Sequence, residues 1–209
     1  GVLPPLTLDE ALESTRVHSV AGMLGGGAPL VSRRSFRAPH HTVSDAGLVG
    51  GGSPIRPGEV SLAHNGVLFL DELAEFRRNV LDVLRQPLEA GVIHLSRAHS
   101  AVCFPARILF VAAMNPCPCG FWGDGSDRCL CDPSVVDCYM GRVSGPLIDR
   151  IDLPLHVPPV PFEHLSGDGQ GSSTAQVREH VSTAQWIQQA SCRSGAALGA
   201  NGQMRAMEL

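Results

Sequence analysis

Lysine is absent from this 209-residue sequence: all 16 of its lysine-plus-arginine positions are arginine. A phosphate-binding loop of the pattern G-x-x-x-x-G-K-[ST] needs a lysine that reaches the β- and γ-phosphates, so the chain contains no such loop. Aromatic residues make up only 5% of the sequence, which argues against a platform that stacks successive bases of a single strand. No apolar run approaches the roughly 20 residues that a membrane-spanning helix needs, and no secretory signal is visible. We therefore expect a cytoplasmic protein without a membrane partner.

Charge and cysteine content narrow the class of protein further. A formal net charge of −4 excludes a basic coat over the whole surface, although it is compatible with a local basic stripe for nucleic acid. Seven cysteines without a secretory signal are typical of free thiols or metal ligands rather than of disulfides. The chain begins at Gly1 with sequence typical of the interior of a protein, so we expect it to be a fragment.

Hydrophobic periodicity predicts an alternation of helices and short strands. Thr7 and Glu10 have the spacing of a capping box at the start of the first helix. Four apolar residues at 67–70 predict a parallel strand buried on both faces, and Pro87 is expected to end or kink the helix that contains it. The predicted helices cover 6–24, 43–48, 75–90 and 174–190, and the predicted strands cover 67–70, 92–104 (as a hairpin), 107–113 and 153–157.

The stretch Gly66–Leu73, which reads GVLFLDEL, carries the first chemical signal, because an apolar strand runs directly into two carboxylates. At the carboxyl end of a parallel strand, side chains face the crevice in which open α/β sheets bind ligands. There, Asp71 could hold Mg²⁺ and Glu72 could orient an attacking water. The alternative from these residues alone is that Asp71 only caps the following helix.

Two later segments add a polar group after one strand and a cation before another. VAAMN at 111–115 ends in Asn115, whose amide could contact a γ-phosphate or the attacking water, although Asn-Pro is also an ordinary turn starter. GPLIDRID at 145–152 places Arg150 between two aspartates. Its guanidinium could reach phosphates bound by a neighbouring subunit, and the alternative is a surface salt bridge.

Four cysteines form a C-x-C…C-x-C pattern: Cys117, Cys119, Cys129 and Cys131. Four thiolates could close a tetrahedral Zn²⁺ site, and such a site would stiffen an insertion that has few apolar residues to fold around. The usual zinc spacing is C-x₂-C, so free thiols in a loop are the alternative, and Cys138 is a substitute ligand. Cys103 falls on the inward side of the hairpin pattern and is expected in the core.

The segment FRAPHHT at 36–42 combines Arg37 with the adjacent histidines His40 and His41. An arginine with two histidines could bind phosphate or a metal. Adjacent histidines do not share a helical face, which makes a two-histidine metal site poor. We therefore expect this loop to pack against a ring of subunits or to contact DNA.

Taken together, the motifs resemble the AAA+ ATPases of the pre-sensor-1 hairpin group, and within it the ComM/YifB branch of the Mg-chelatase-like family. The resemblance covers roughly residues 1–205, and the segments that carry it are RSFRAPHHTVSDAGLVGGG, PGEVSLAHNGVLFLDELAEF, AAMNPCPCG and GPLIDRIDL. It implies that Asp71 coordinates Mg²⁺ and that Glu72 is the catalytic base. It also implies that Asn115 is sensor 1 and that Arg150 is an arginine finger acting in trans.

The fold that this resemblance implies is α/β: a P-loop NTPase (AAA+) core, with a parallel sheet, helices on both faces and a β-hairpin inserted before sensor 1. The first strand and the phosphate loop would precede this chain, and most of the helical lid would follow it. Three parts are implied: a partial nucleotide-binding domain over 1–160 with a cysteine-rich insertion at 117–138, a linker over 161–173, and the start of the C-terminal lid over 174–209.

The implied activity is hydrolysis of ATP with Mg²⁺ by a homo-oligomeric ring, with a hexamer as the expected size, coupled to DNA remodelling. Helicase-like branch migration in recombination or natural transformation is the expected form, and the hairpin residues His94, Arg97 and His99 would contact the DNA backbone in a central pore. The isolated fragment is expected to be inactive. Two alternatives stand beside this: the ATPase subunit of a magnesium chelatase, and a non-catalytic, zinc-stapled binding module.

Overall fold

The computed structural model describes residues 1–25, 30–97, 100–160 and 171–192. Two compact units are present, one formed by Leu6–Pro159 and the other by Gly1–Pro5 together with the chain from Val160 onward. The first unit holds the parallel sheet and the candidate site residues that the structure describes. Among the helices of the described ranges, none combines the length and apolar character that crossing a membrane requires.

Short helices and strands alternate along the chain. The helices are α1 (Leu8–Val20), α2 (Asp45–Val49), α3 (Glu59–Leu62), α4 (Arg78–Asp82), α5 (Arg85–Ala90), α6 (Pro133–Met140), α7 (Gly145–Ile148) and α8 (Thr174–Cys192). The strands are β1 (Phe36–Arg37), β2 (Gly50–Gly51), β3 (Arg56–Pro57), β4 (Val67–Leu70), β5 (Val92–Arg97), β6 (Ser100–Pro105) and β7 (Leu109–Ala112).

Helix α1 begins with the capping box that the sequence predicted. The Thr7 hydroxyl accepts a hydrogen bond from the Glu10 backbone N–H at 3.2 Å, and the Glu10 carboxylate accepts one from the Thr7 N–H at 2.8 Å. Two backbone donors that a helix start leaves unpaired are thereby satisfied. The helix is confirmed, although it is shorter at both ends than the predicted range 6–24.

Strand β4 lies at the centre of a three-stranded parallel sheet, between β1 and β7. Its predicted bounds are confirmed, but the prediction of burial on both faces is wrong. Leu68 and Leu70 are fully buried in the main core. On the opposite face, Phe36 is 64% exposed and Leu109 is 50% exposed. The apolar core of this unit therefore packs against one face of the sheet.

The predicted helix over 75–90 is broken into a 3₁₀ turn (Leu73–Glu75), α4 and α5. Pro87 explains the break, because its ring opposes the carbonyl four residues earlier, at Val83, and α4 ends there. Pro87 itself lies in the first turn of α5, where a proline is tolerated. Gly91 then ends α5 in the left-handed conformation (φ 67°).

The predicted hairpin is confirmed as β5 and β6, which pair in antiparallel register from Val92–Pro105 to Arg97–Ser100. Ile93 and Phe104 point into the core, so the paired residues His94 and Cys103 lie on the exposed side. The expectation that Cys103 is a core residue is therefore wrong. His99 lies outside the described residues.

The last two predicted elements have opposite outcomes. Helix α8 confirms the helix predicted over 174–190. The strand predicted over 153–157 is wrong: this segment has no strand assignment, and Leu153 and Leu155 are 78% and 83% exposed. Pro154 lies inside the segment and has no N–H to donate to a neighbouring strand.

A buried histidine ties α1 to the sheet. His64 is 2% exposed, and its Nδ1 accepts the backbone N–H of Arg107 at 3.1 Å. Its Nε2 therefore carries the proton and donates to the Glu13 carboxylate at 3.0 Å. Burial lowers the pKa of His64 below 6.5, and although its bond to Glu13 acts the other way, the net shift is downward.

The His64 ring makes the stability of the fold dependent on pH. Because its pKa is lowered in the folded state, the neutral ring stabilises the fold above pH 6.5, and this contribution is lost as the pH falls from 6.5 through the folded pKa. We expect Tm to be lower at pH 5.5 than at pH 7.5, because protonation of His64 at the lower pH favours the unfolded chain. The pKa of Glu13 is also lowered, chiefly by its bond from Asn65, and its own window lies below 4.5.

Thermal melts of His64→Gln and of His156→Gln, an exposed histidine, test this expectation. The His64→Gln variant should show a flatter pH dependence of Tm over this range, and the His156→Gln variant should behave like the parent. If Tm changed equally with pH in the parent and in both variants, His64 would not be the source of the pH dependence.

Candidate functional site

Asp71 and Glu72 follow directly after β4, and both are exposed. The Asp71 carboxylate accepts the backbone N–H of Glu72 at 2.9 Å, which is a local turn contact. Glu72 is the residue that precedes the 3₁₀ turn, and no side chain caps that turn. The alternative in which Asp71 caps the next helix is therefore not what the structure shows. Both carboxylates have oxygens free to face a ligand.

The backbone of Glu72 is in the left-handed region, with φ 53° and ψ 49°. For a residue other than glycine this conformation costs on the order of 1–3 kcal/mol, and such strain clusters at functional sites. Bonds to the neighbouring strand hold the turn in place. The Ala113 N–H donates to the Leu70 carbonyl, and the Leu73 N–H donates to the Ala113 carbonyl, each at 2.9 Å. The ends of β4 and β7 are thereby fixed to each other.

Asn115 is exposed three residues beyond the end of β7. Because Leu70 pairs with Ala112 in parallel register, the segments that follow both strands leave the sheet at the same edge. The structure therefore brings Asp71, Glu72 and Asn115 to one edge, as their positions in the sequence predicted.

His41 lies beside Glu72, a contact that the sequence did not predict. Its Nδ1 lies 3.5 Å from a carboxylate oxygen of Glu72, and its ring lies against the His40 ring, with centroids 3.9 Å apart and the two planes tilted by 36°. Arg37 forms a two-point ion pair with Glu59 at 2.6 and 2.7 Å. The FRAPHHT side chains thus have partners within the chain. The sequence did not predict β1, which is only two residues long. Because β1 pairs with β4, the segment that follows β1 lies beside the end of β4.

Arg150 follows α7 and pairs with Glu89 at 2.8 Å. The two side chains are 43% and 61% exposed, and an ion pair this open to water contributes little to stability. Its guanidinium is therefore at the surface of the unit and open to solvent.

The four cysteines Cys117, Cys119, Cys129 and Cys131 meet in space. All four sulfur atoms lie within 4.8 Å of one another, and four of the contacts measure 3.3, 3.5, 3.6 and 3.9 Å. A tetrahedron with metal–sulfur bonds of about 2.3 Å has edges of about 3.8 Å. This cluster could hold a metal ion. Cys138, the substitute ligand considered from the sequence, is exposed and is not part of it.

Within the cysteine cluster, the pKa values of Cys117 and Cys129 are shifted in opposite directions. Burial opposes ionisation of Cys117, but hydrogen bonds from the Cys119 thiol and from backbone amides outweigh it and lower the pKa of Cys117 to about 6. At Cys129 a backbone amide favours the thiolate, but burial and the neighbouring sulfurs raise its pKa to about 12. Close packing thus favours the thiolate at Cys117 and the thiol at Cys129, whereas a bound cation would favour the thiolate at each of its ligands.

Comparison with known proteins places the chain in a family. Residues 1–165 match the family described as magnesium chelatase, subunit ChlI. The chain belongs to that family. It is 48% identical over 190 residues to the competence protein ComM of Haemophilus influenzae, a match that covers 90% of this chain. It is 46% identical over 189 residues, or 88% of its length, to YifB of Escherichia coli. This member of the magnesium chelatase family is thus ComM/YifB-like.

Family membership identifies the fold as an AAA+ P-loop NTPase core. As the sequence predicted, the β5–β6 hairpin lies between β4 and β7 in the chain. The chain spans 36% of the length of each of these two relatives. A weaker likeness is to NtrX from Brucella abortus in complex with ADP, with a TM-score of 0.40 and 17% identity over 59% of this chain and 25% of that one.

Proposed function

We propose that these residues form part of an ATPase site that uses Mg²⁺. The observation that carries the proposal is the placement of Asp71, Glu72 and Asn115 at one edge of the parallel sheet, with the Glu72 turn held in a strained conformation. Bound Mg²⁺ would neutralise phosphate charge. Asp71 would hold the ion, commonly through water, Glu72 would take a proton from the attacking water, and Asn115 would contact the γ-phosphate or that water.

The accessible Arg150 supports a ring of identical subunits, with a hexamer as the proposed size. In such a ring Arg150 of one subunit would reach the phosphates bound by the next and stabilise charge in the transition state. Within the chain, residues 1–160 would form the partial nucleotide-binding domain with its cysteine-rich insertion at 117–138. Residues 161–173 would be the linker, and 174–209 would be the start of the lid.

We further propose that hydrolysis is coupled to DNA remodelling in the cytoplasm, as helicase-like branch migration in recombination or natural transformation. Two observations support this: the similarity to a relative named competence protein ComM, and the hairpin, on which His94 is exposed. His94, Arg97 and His99 are the proposed contacts with the DNA backbone.

For the four-cysteine cluster we propose zinc as the metal. Thiolate ligands select zinc over magnesium or calcium, and the sulfur spacing suits a four-coordinate tetrahedral ion. With all four ligand positions taken by protein, such an ion would be structural rather than catalytic.

The rate of ATP hydrolysis by the full-length protein that carries these residues, measured with and without four-way-junction DNA, tests the proposal. We expect DNA to raise the rate and the stimulation to weaken as salt increases, because contacts to phosphate release counterions. Hydrolysis that is indifferent to DNA would favour remodelling of a protein partner, as in a chelatase. A complete lack of hydrolysis would favour the zinc-stapled binding module.

A further inference from the structure

The cysteine cluster and the candidate nucleotide site share one short segment of chain. Asn115 lies two residues after Ala113, which is bonded to both sides of the Asp71–Glu72 turn, and two residues before Cys117. Cys117 is fully buried and contacts Cys119 and Cys129. Asn115 is therefore fixed on one side by the sheet and on the other by the cluster.

The chain between Ala113 and Cys117 has little conformational freedom. Met114 packs against the main core. Pro116 restricts its own backbone and favours extended conformations at Asn115. A shift of Cys117 would therefore pass directly to the Asn115 amide.

Contacts within the loop between the two cysteine pairs stabilise the cluster. Arg128 pairs with Asp124 at 2.7 Å, and its guanidinium lies 4.3 Å from the centroid of the Phe121 ring. The Ser126 hydroxyl donates to Asp124 at 2.7 Å. These contacts close the loop between the two cysteine pairs. Cys129 and Cys131 are thereby brought next to Cys117 and Cys119.

We propose that zinc bound by the four cysteines sets the position of Asn115, so that ATP hydrolysis depends on the zinc while nucleotide affinity does not. This inference rests on the proposed role of Asn115 at the γ-phosphate. Without the ion, the cluster would lose the metal–thiolate bonds, and only the weaker sulfur contacts of Cys117 with Cys119 and Cys129, at 3.3 and 3.9 Å, would hold Cys117 in place. Asn115 would then lose its fixed position, whereas the Asp71–Glu72 turn would keep its own bonds to Ala113.

The test uses the full-length protein and two pairs of serine variants. Cys119→Ser and Cys131→Ser each remove one ligand from the cluster, and Cys103→Ser and Cys138→Ser make the same change at exposed cysteines outside it. Zinc content, ADP affinity, and kcat and KM for ATP are measured for each. We expect about one zinc per wild-type chain. The two cluster variants should lose the zinc, and their kcat should fall by about tenfold or more while their ADP affinity is unchanged. The two control variants should match the wild type in all of these measurements.

A double-mutant cycle with Asn115→Ala separates positioning from general loss of structure. If zinc acts through Asn115, the variant Cys119→Ser plus Asn115→Ala should have the same kcat as Asn115→Ala alone. Removal of zinc from the wild-type protein with a chelator, followed by re-addition, should lower and restore kcat. This second measurement covers the case in which the cysteine variants do not fold.

Each contrary result has a distinct meaning. Wild-type protein without zinc would overturn the metal site. Zinc loss without a fall in kcat, or effects of the two substitutions that multiply, would overturn the coupling to Asn115. Normal turnover in Asn115→Ala would overturn the proposed role of Asn115 and the coupling with it, while the zinc measurement would still stand.

Discussion

Replacement of Glu72 by glutamine should leave ATP binding intact and lower ATP turnover by about 10²–10⁴-fold, the range that loss of a general base produces. The amide has nearly the shape of the carboxylate but cannot take a proton from water. Glu72 is exposed, and its left-handed backbone is held by the bonds around Ala113. The substitution should therefore not disturb the fold. Steady-state hydrolysis and nucleotide affinity of the full-length protein are the measurements.

Glu75→Gln is a matched control for this substitution. Glu75 is exposed on the turn that follows Glu72 and pairs with Arg142 at 3.1 Å. Its loss should leave turnover close to that of the wild type, because the exposed ion pair contributes little. Normal turnover in Glu72→Gln would remove Glu72 from the proposed role.

Replacement of Arg150 by alanine should give a protein that assembles and binds ATP but hydrolyses it about 10³-fold more slowly or worse, the range reported for loss of an arginine finger. The expected defect lies in the transition state, so ATP affinity should change little. Glu89→Ala is the control, because it removes the partner of Arg150 within the chain and leaves the guanidinium. Its turnover should match the wild type.

Mixing the two inactive variants tests whether Arg150 acts in trans. In a mixed ring, an Arg150→Ala subunit contributes an intact Glu72, and an adjacent Glu72→Gln subunit contributes an intact Arg150. Such interfaces contain a complete site, so hydrolysis should return in proportion to their number. No recovery in rings shown to be mixed would contradict the action in trans.

The features that sequence predicted well are those with a local physical cause. The capping box of Thr7 and Glu10, the apolar strand Val67–Leu70 and the helix break at Pro87 each depend on residues close to one another in the chain. The cysteine cluster was predictable for a different reason: the residue type limits its chemistry to few options. In each case the pattern itself contains the information.

The features that sequence did not predict depend on contacts between distant segments. His41 approaches Glu72 because β1 pairs with β4, and two residues of strand leave almost no periodicity to detect. The apolar residues Leu153 and Leu155 suggested a strand, but strand formation requires a neighbour to pair with. Cys103 was misplaced because hairpin alternation does not say which of the two faces is buried.

The most direct test of the nucleotide site is a structure of the full-length protein with Mg²⁺ and a non-hydrolysable ATP analogue. The proposal predicts the metal ion beside Asp71, the Glu72 carboxylate facing the water nearest the γ-phosphate, and the Asn115 amide within hydrogen-bond distance of that phosphate or water. A nucleotide bound elsewhere on the protein, with this edge of the sheet turned away from it, would contradict the proposal.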